Sequence, residues 1–119
     1  MSDTQKNLYK KFLGLKGEKI AEKHLKKLGY KIIKTNYVTP FGEADIVCEK
    51  NGVLTFAEVK TRSSNKFGTP AEAVDIKKQN KYRQIAKYYL LTNKLDDVEI
   101  SFLVVEVVGD LVNVITDAF

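Results

Sequence analysis

Two neighbouring segments carry carboxylates where a strand pair usually carries apolar side chains. Asp45 lies in the segment FGEADIVCEK, and Glu58 lies in VLTFAEVKTR, two residues before Lys60. The dipeptide Asn51-Gly52 separates the segments, and Asn-Gly between alternating apolar runs is the strongest short-range indication of a β-hairpin. The sequence therefore predicts that all three charged side chains belong to one strand pair.

The two-residue turn also predicts the register of this hairpin, with Asp45 directly opposite Glu58. Two carboxylates in opposite positions, with Cβ atoms about 5 Å apart, repel each other unless a cation lies between them. Lys60 shares the face of Glu58, because side chains two residues apart in a strand point the same way. Its amine could offset part of the repulsion.

The residues around these charges read as buried on both faces of the hairpin, and buried like charges without a bound ion are unfavourable. A divalent metal site is therefore one hypothesis. Oxygen ligands suit Mg²⁺ or Mn²⁺, whereas Zn²⁺ favours His and Cys. A simple cluster of ion pairs is the alternative.

A third carboxylate, Glu18, is expected to join them from the first helix. It lies three, seven and ten residues before Ala21, Leu25 and Leu28, so it continues the apolar stripe of that helix. A glutamate that faces the sheet requires a partner there. The alternative is an exposed acid in the first turn of a helix that starts near Leu15, where the helix dipole would stabilise it.

Periodicity and turn residues predict seven elements in the order α-β-β-β-α-β-β, which fits an α/β fold with a mixed β-sheet flanked by helices. One domain is expected to span residues 1–119, since 119 residues bury a single core and no linker or repeat interrupts them. The predicted elements are a helix at Gln5–Leu28, strands at Tyr30–Val38, Glu43–Lys50 and Val53–Thr61, a loop at Ser63–Pro70, a helix from Pro70 to about Leu91, and strands at Ile100–Val108 and Val112–Thr116.

Charge is distributed unevenly along the chain. The formal net charge is +5, from 20 Lys and Arg and 15 Asp and Glu residues. Every basic residue lies at or before Lys94, whereas Leu95–Phe119 contains only acids among its charged residues. Such a basic segment favours a polyanion partner. A solvated lysine-rich face is the alternative.

Neither a membrane nor an oxidising compartment is expected. No apolar run approaches the roughly 20 residues that span a bilayer, and the N-terminus has no apolar core of a secretory signal. The single cysteine, Cys48, cannot form an internal disulfide, which favours a cytoplasmic location. Cys48 is predicted to be a small core residue and His24 a surface or half-buried helix residue, because neither has companions at metal-ligand spacing.

The order of these residues resembles the core of PD-(D/E)XK nucleases, with Asp45 on one strand, Glu58-Val59-Lys60 on the next, and Glu18 on the preceding helix. More narrowly, the chain resembles the YraN-like family of uncharacterised proteins, which is related to archaeal Holliday junction resolvases. The resemblance covers nearly the whole chain. The stretches that carry it are Gly17-Glu18 with Ala21, Leu28–Tyr30, Gly42–Ile46, Ala57–Arg62, Phe67–Pro70, Glu72–Val74 and Ala118-Phe119.

The resemblance implies a restriction-endonuclease-like fold and metal-dependent hydrolysis of phosphodiester bonds in branched DNA. Its implied catalytic residues are Glu18, Asp45, Glu58 and Lys60. Mg²⁺ or Mn²⁺ would be bound by Asp45, Glu58, the backbone carbonyl of Val59, and Glu18 directly or through water. Lys60 would orient or help deprotonate the attacking water, or contact the phosphate. A homodimer is also implied, since two symmetric cuts need two sites, and no small-molecule cofactor is expected.

The second helix is expected to lie along a nucleic-acid backbone through sequence-independent, salt-sensitive contacts. Gln84 and Tyr88 have the QxxxY spacing of some nucleases of this superfamily, which core packing or solubility explains equally well. A catalytically inactive nucleic-acid-binding accessory protein of DNA repair or recombination is the alternative function, and the acidic, apolar C-terminal segment favours a third, a protein-interaction domain. The predicted nucleic-acid contacts are Arg62, Lys77, Lys78, Gln79, Lys81 and Arg83.

Overall fold

A computed structural model of the protein describes residues 2–62 and 74–116. This part of the chain forms a five-stranded mixed sheet with a helix on each face, in the predicted order α-β-β-β-α-β-β. Strands follow each other across the sheet in chain order; β3 and β4 are parallel, and the other neighbours are antiparallel. The elements are α1 (Asp3–Lys27), β1 (Lys31–Thr39), β2 (Gly42–Lys50), β3 (Val53–Arg62), α2 (Ile76–Thr92), β4 (Glu99–Val108) and β5 (Leu111–Thr116).

The first helix starts well before Leu15, the start that the alternative interpretation of Glu18 assumed. Ser2 caps this helix. The backbone amide of Gln5 donates to the Ser2 hydroxyl at 3.1 Å, and the backbone amide of Ser2 donates to the side-chain oxygen of Gln5 at 2.7 Å. This reciprocal arrangement satisfies two amides that a helix start otherwise leaves without partners. Because α1 begins at Asp3, Glu18 lies deep inside it, and the interpretation of Glu18 as a first-turn acid is wrong.

A close approach of α1 to the sheet positions this glutamate. The buried residues of α1 are Gly17, Ala21 and Leu25, which are spaced by four and therefore lie on one face. A Cβ atom on Gly17 would overlap the hydroxyl of Thr61 on β3. The helix backbone can therefore approach β3 this closely only where a residue has no side chain, and Glu18 follows immediately.

The second helix begins later than predicted. Val74 and Asp75 are not helical, and α2 starts at Ile76 rather than near Pro70. The reason is local, since the Asp75 carboxylate accepts a hydrogen bond from the Lys78 amide at 2.8 Å and thereby caps the helix. Residues 70–73, at the start of the predicted helix, lie outside the described part of the chain.

The core is divided by the sheet into two apolar clusters. Strand alternation sends successive side chains to opposite faces. From Leu103 to Val108 both faces of β4 are buried, which is typical of an apolar strand in the interior of a sheet. The cluster on the α1 side contains Ala21, Leu25, Ile46, Cys48, Ala57, Leu103, Val105 and Val107. The cluster on the α2 side contains Ala44, Val47, Leu54, Phe56, Tyr82, Ile85, Ala86 and Tyr89.

The hairpin of β2 and β3 has the predicted register from Lys50 and Val53 at the turn up to Ile46 and Ala57. The structure departs from the prediction at the next position, where Asp45 is not a ladder partner of Glu58. Ala44 packs on the α2 side and Ile46 on the α1 side. Since residues two apart share a face in a regular strand, β2 is irregular at Asp45.

Neither described helix has both the length and the hydropathy needed to cross a membrane.

Candidate active site

Charged side chains gather on the α2-facing side of β3 and β4, near the carboxyl ends of these two parallel strands. Glu58, Lys60 and Arg62 alternate along β3, and Glu106 on β4 is the register partner of Lys60. They lie on the same face of the sheet as Phe56, which belongs to the apolar cluster of the α2 side. The carboxyl ends of parallel strands are the usual ligand-binding edge of open α/β sheets. The position therefore favours a functional site.

The irregularity of β2 brings Asp45 into this group. Its Oδ2 atom accepts a hydrogen bond from the backbone amide of Val59 at 2.7 Å. Burial raises the pKa of Asp45, and the negative charges of Glu58 and Glu43 raise it further, while the Val59 hydrogen bond and the Lys78 ammonium oppose the shift. Asp45 therefore lies close enough to Glu58 for the two carboxylates to repel each other, as the sequence predicts.

Glu58 has one engaged oxygen and one available oxygen. The residue is 5% exposed. Its Oε1 atom forms an ion pair with the ammonium of Lys78 on α2. Its Oε2 atom is buried and has no hydrogen-bond partner within residues 2–62 and 74–116. Because a buried carboxylate oxygen is stable only with a donor or a cation, this atom fits a metal ligand.

Glu18 approaches Asp45 from the α1 side, as predicted. Burial raises the pKa of Glu18, and the charges of Asp45 and Glu43 add to the effect. With its amide nitrogen turned to the carboxylates, Asn36 donates to Glu43 at 3.1 Å and to Glu18 at 3.3 Å. Glu43 is thus a further acid of the site that the sequence reasoning did not select. Its place two residues before Asp45 on the same strand was the available indication.

These carboxylates approach one another in a chain rather than as one closed centre. Glu18 is coupled to Asp45, and Asp45 to Glu58. Across the described residues, no three His, Cys, Asp or Glu side chains are grouped tightly enough to hold a metal ion together. Any ion that Asp45 and Glu58 share would thus take its remaining ligands from water, from the backbone or from a moved side chain.

Glu106 is a second site residue that the sequence reasoning missed. It is 0% exposed, and its Oε2 atom accepts a hydrogen bond from the Nε atom of Arg62 at 2.6 Å. The indication in the sequence was a single charged residue inside the apolar run of β4. Arg62 is therefore engaged in an internal ion pair, with its side chain 26% exposed, and its predicted phosphate contact stays a prediction.

The predicted nucleic-acid residues of α2 fall into different environments. Lys77 and Arg83 are exposed. The amide nitrogen of the Gln79 side chain lies 3.5 Å from the carbonyl oxygen of Val74. Lys81 is half-buried, with its ammonium 5.6 Å from the centre of the Tyr82 ring. Lys78 differs from all of them, because it contacts a site carboxylate.

A cleft of about 590 Å³ lies along this helix beside the site. Lys78, which contacts Glu58, is also one of its lining residues. Gln84, whose spacing with Tyr88 matches the QxxxY pattern, also borders this cleft, while the Tyr88 ring packs edge-on against Phe41 at 6.3 Å. The residues that line the cleft are Phe41, Asp75, Lys77, Lys78, Asn80, Lys81 and Gln84.

The two remaining candidates have structural environments, as predicted. Cys48 is fully buried in the cluster of the α1 side, and burial raises its pKa to about 12. It therefore behaves as a small apolar core residue. His24 is half-buried on α1.

The fold and this site define an α/β protein with a cluster of charged residues near the carboxyl ends of its two parallel strands. Residues 17–108 match the "Uncharacterised protein family UPF0102". The chain belongs to this family, which confirms the YraN-like resemblance, and the matched range includes every acid of the site.

Relatives match over most of their own length. A UPF0102 protein of Alkaliphilus oremlandii is 48% identical over 99 residues, which cover 82% of this chain and 85% of the relative. A UPF0102 protein of Syntrophomonas wolfei is 46% identical over 95 residues, covering 80% and 83%. A UPF0102 protein of Caldicellulosiruptor saccharolyticus is 39% identical over 108 residues, covering 91% and 92%.

Proposed function

We propose that the protein is a metal-dependent endonuclease that hydrolyses phosphodiester bonds in branched DNA, in the manner of the PD-(D/E)XK resolvases. The observation that carries this proposal is Glu58, a buried carboxylate that repels Asp45 and has an Oε2 atom without a hydrogen-bond partner among the described residues. The order of Asp45 and Glu58-Val59-Lys60 on neighbouring strands supports the same reaction class.

Mg²⁺ or Mn²⁺ fits this set of oxygen atoms. Asp45 and Glu58 would hold the ion together with the carbonyl oxygen of Val59, and Glu18 would contribute directly or through a bound water. The ion supplies activation of the attacking water and stabilisation of the negative charge that develops on the phosphate. The charge of a bound ion would also oppose the burial and the carboxylate repulsion that raise the pKa of Asp45.

The chain's own basic groups orient the reactants. Lys60 shares the face of Glu58, where its ammonium orients the attacking water or contacts the scissile phosphate. Lys77 and Lys81 line the cleft along α2, where they contact phosphates of the DNA backbone away from the scissile one. These contacts are independent of sequence and weaken as salt rises. Arg62 is paired with Glu106, and its contact with a phosphate is a further prediction of this proposal.

The proposed enzyme is a homodimer, since symmetric cutting of a junction needs two sites. Its single cysteine favours a cytoplasmic location. The support for a DNA partner is the charge distribution, with all basic residues at or before Lys94. Light scattering tests the dimer, and a strict monomer at high protein concentration would contradict paired cutting.

One observation favours a second function, a nucleic-acid-binding accessory protein without turnover. The ammonium of Lys78 already neutralises Glu58. A carboxylate that is satisfied in this way stabilises the fold without any metal, and the basic cleft would still bind a phosphate backbone.

Cleavage of a four-way DNA junction in the presence of Mg²⁺ or Mn²⁺ separates the two functions. We expect the wild type to cut the junction and Asp45→Ala to lose more than about 100-fold in rate, beyond the 10–100-fold effect of outer-shell residues of metal sites. Asp96→Ala, which removes an exposed acid, is the matched control and should cut normally.

The failure of cleavage has two distinct meanings. Salt-dependent binding without cleavage, across junction, flap and duplex substrates, would support the accessory protein instead. The absence of any salt-dependent affinity for nucleic acid would leave the protein-interaction domain as the remaining candidate.

A further inference from the structure

We infer that Lys78 competes with the metal ion for Glu58: its ammonium holds this carboxylate in the ion-free protein, and metal binding releases it into the cleft along α2, where a DNA phosphate receives it. This inference rests on the proposed function and concerns how the same site is loaded. It gives Lys78 a role distinct from that of a general phosphate contact.

The exposure of the two partners shows which of them can leave. The side chain of Glu58 is 6% exposed, whereas that of Lys78 is 35% exposed. The carboxylate is therefore fixed inside the sheet, and the ammonium reaches it from the solvent side. A buried charge deprived of its partner is strongly destabilising, so the ion-free protein needs a cation at this position.

The ammonium also lies where a shared metal ion would be needed. It contacts Glu58, and its charge acts on Asp45, where it opposes the repulsion between the two carboxylates. A monovalent ammonium thereby performs part of the charge compensation that a divalent ion would perform more fully. A metal ion at the Oε2 atom of Glu58 would lie within a few ångströms of the ammonium at the Oε1 atom, so the two cations would repel each other.

Lys78 is anchored at its backbone, whereas its side chain is held at its end, by the ion pair with Glu58. Its amide is fixed by the Asp75 carboxylate at 2.8 Å, at the start of α2. Its four-carbon stem is flexible, and the same residue lines the cleft that it shares with Lys77 and Lys81. A released ammonium would thus join two other lysines, where an anion such as a phosphate is favoured.

Competition of this kind makes the binding of metal and DNA mutually reinforcing. A metal ion that frees Lys78 increases the positive charge available to DNA. By thermodynamic linkage, DNA that attracts Lys78 increases the affinity for the metal to the same extent.

Titration of the full-length protein with Mn²⁺ by calorimetry, without DNA, tests the competition. We expect Lys78→Met to bind Mn²⁺ about 10–100-fold more tightly than the wild type, since the contact of an ammonium with a buried carboxylate no longer opposes binding. Lys27→Met removes the same charge from an exposed position in the last turn of α1 and should leave the affinity unchanged.

Thermal unfolding provides a second measurement. In a chelating buffer we expect Lys78→Met to melt at a lower temperature than the wild type, because Glu58 loses its partner, and to recover when Mn²⁺ is added. Lys78→Gln, which keeps a hydrogen-bond donor without the charge, covers the case in which Lys78→Met does not fold. Its Mn²⁺ affinity should also exceed that of the wild type.

The outcomes separate this inference from the proposed function. Wild-type protein that binds Mn²⁺ through Asp45 and Glu58, together with Lys78 variants of equal or weaker affinity, would overturn the inference alone. If neither the wild type nor the variants bind Mn²⁺, both the metal site and this inference are overturned.

Release of Lys78 to DNA is tested with Ca²⁺ in place of Mn²⁺. Saturating Ca²⁺ should strengthen the binding of a DNA duplex several-fold more in the wild type than in Lys78→Met, where only the charge of the ion itself contributes. An equal strengthening in both proteins would show that the ammonium does not move to a phosphate.

Discussion

The two faces of the β3–β4 strand pair carry opposite chemistry although they alternate residue by residue. On the α1-facing side, Ala57, Leu103 and Val105 are almost completely buried in an apolar cluster. The α2-facing positions near the carboxyl ends of the same strands include Glu58 and Glu106. The comparison shows how a small sheet supports a charged site: the apolar face fixes the strands, and the charged face is held rigid by that packing.

The charged face contains two ion pairs of different construction. Glu106 is paired with Arg62 on the neighbouring strand, whereas Glu58 is paired with Lys78 on a helix. Arginine is a planar, weakly hydrated donor suited to permanent ion pairs, and lysine is a flexible point charge. The first pair therefore suits a structural role, and the second is the pair that we propose exchanges its ammonium for a metal ion.

Removing Glu106 should have the largest effect on stability. Glu106→Ala leaves the partly buried guanidinium of Arg62 without its acceptor, and breaking a buried pair in this way costs about 3–5 kcal/mol of unfolding free energy. Urea denaturation measures the loss. Glu99→Ala, which removes an exposed acid from the same strand, should change the stability by less than about 0.5 kcal/mol.

An equally small loss in Glu106→Ala would contradict the assignment of this pair as structural. Replacement of both partners, in Arg62→Met with Glu106→Met, sharpens the point. An apolar pair of similar volume should recover most of the lost stability, because no isolated charge remains buried.

Gly17 tests the opposite, apolar face. We expect Gly17→Ala to cost about 1–3 kcal/mol, since the added methyl group overlaps the Thr61 side chain and forces α1 away from β3. Gly14→Ala is the matched control, because a Cβ there meets nothing within 4 Å. It should stabilise the helix by about 0.5–1 kcal/mol. Thermal unfolding of both variants measures the difference, and equal behaviour would show that the helix does not approach the sheet this closely.

Cys48 should give the smallest effect, namely no reaction of the folded protein with a thiol reagent. Burial raises its pKa to about 12, so at about pH 8 the thiolate fraction is on the order of one in ten thousand. Mass spectrometry after iodoacetamide treatment checks this, with the urea-unfolded protein as the reactive control. Rapid modification under native conditions would mean that the apolar face opens more readily than the structure indicates.

Local patterns were sufficient to predict most of the fold. The Asn51-Gly52 turn and strand alternation gave the hairpin register, and helical periodicity placed Glu18 towards the sheet. These features depend on residues that are near each other in the chain. The family also followed from short motifs and is confirmed by the match over residues 17–108.

The contacts of the site could not be predicted in the same way, because they join distant parts of the chain. The pair of Lys78 and Glu58 depends on how α2 crosses the sheet, and the pair of Arg62 and Glu106 depends on the register of two parallel strands. The irregularity at Asp45 arises from packing on both faces at once. None of these leaves a periodic pattern in the sequence.

The chain order of the two ion pairs has a consequence during synthesis on the ribosome. A nascent chain that ends at Arg62 already contains β1, β2 and β3, but the cations and anions that complete its charged face, Lys78 and Glu106, have not yet been made. Its last strand is also an open edge until β4 pairs with it, and open edges invite association with other chains. In every round of translation, the nascent chain therefore exposes an unpaired strand that can associate with other chains. This exposure ends only when β4 has emerged.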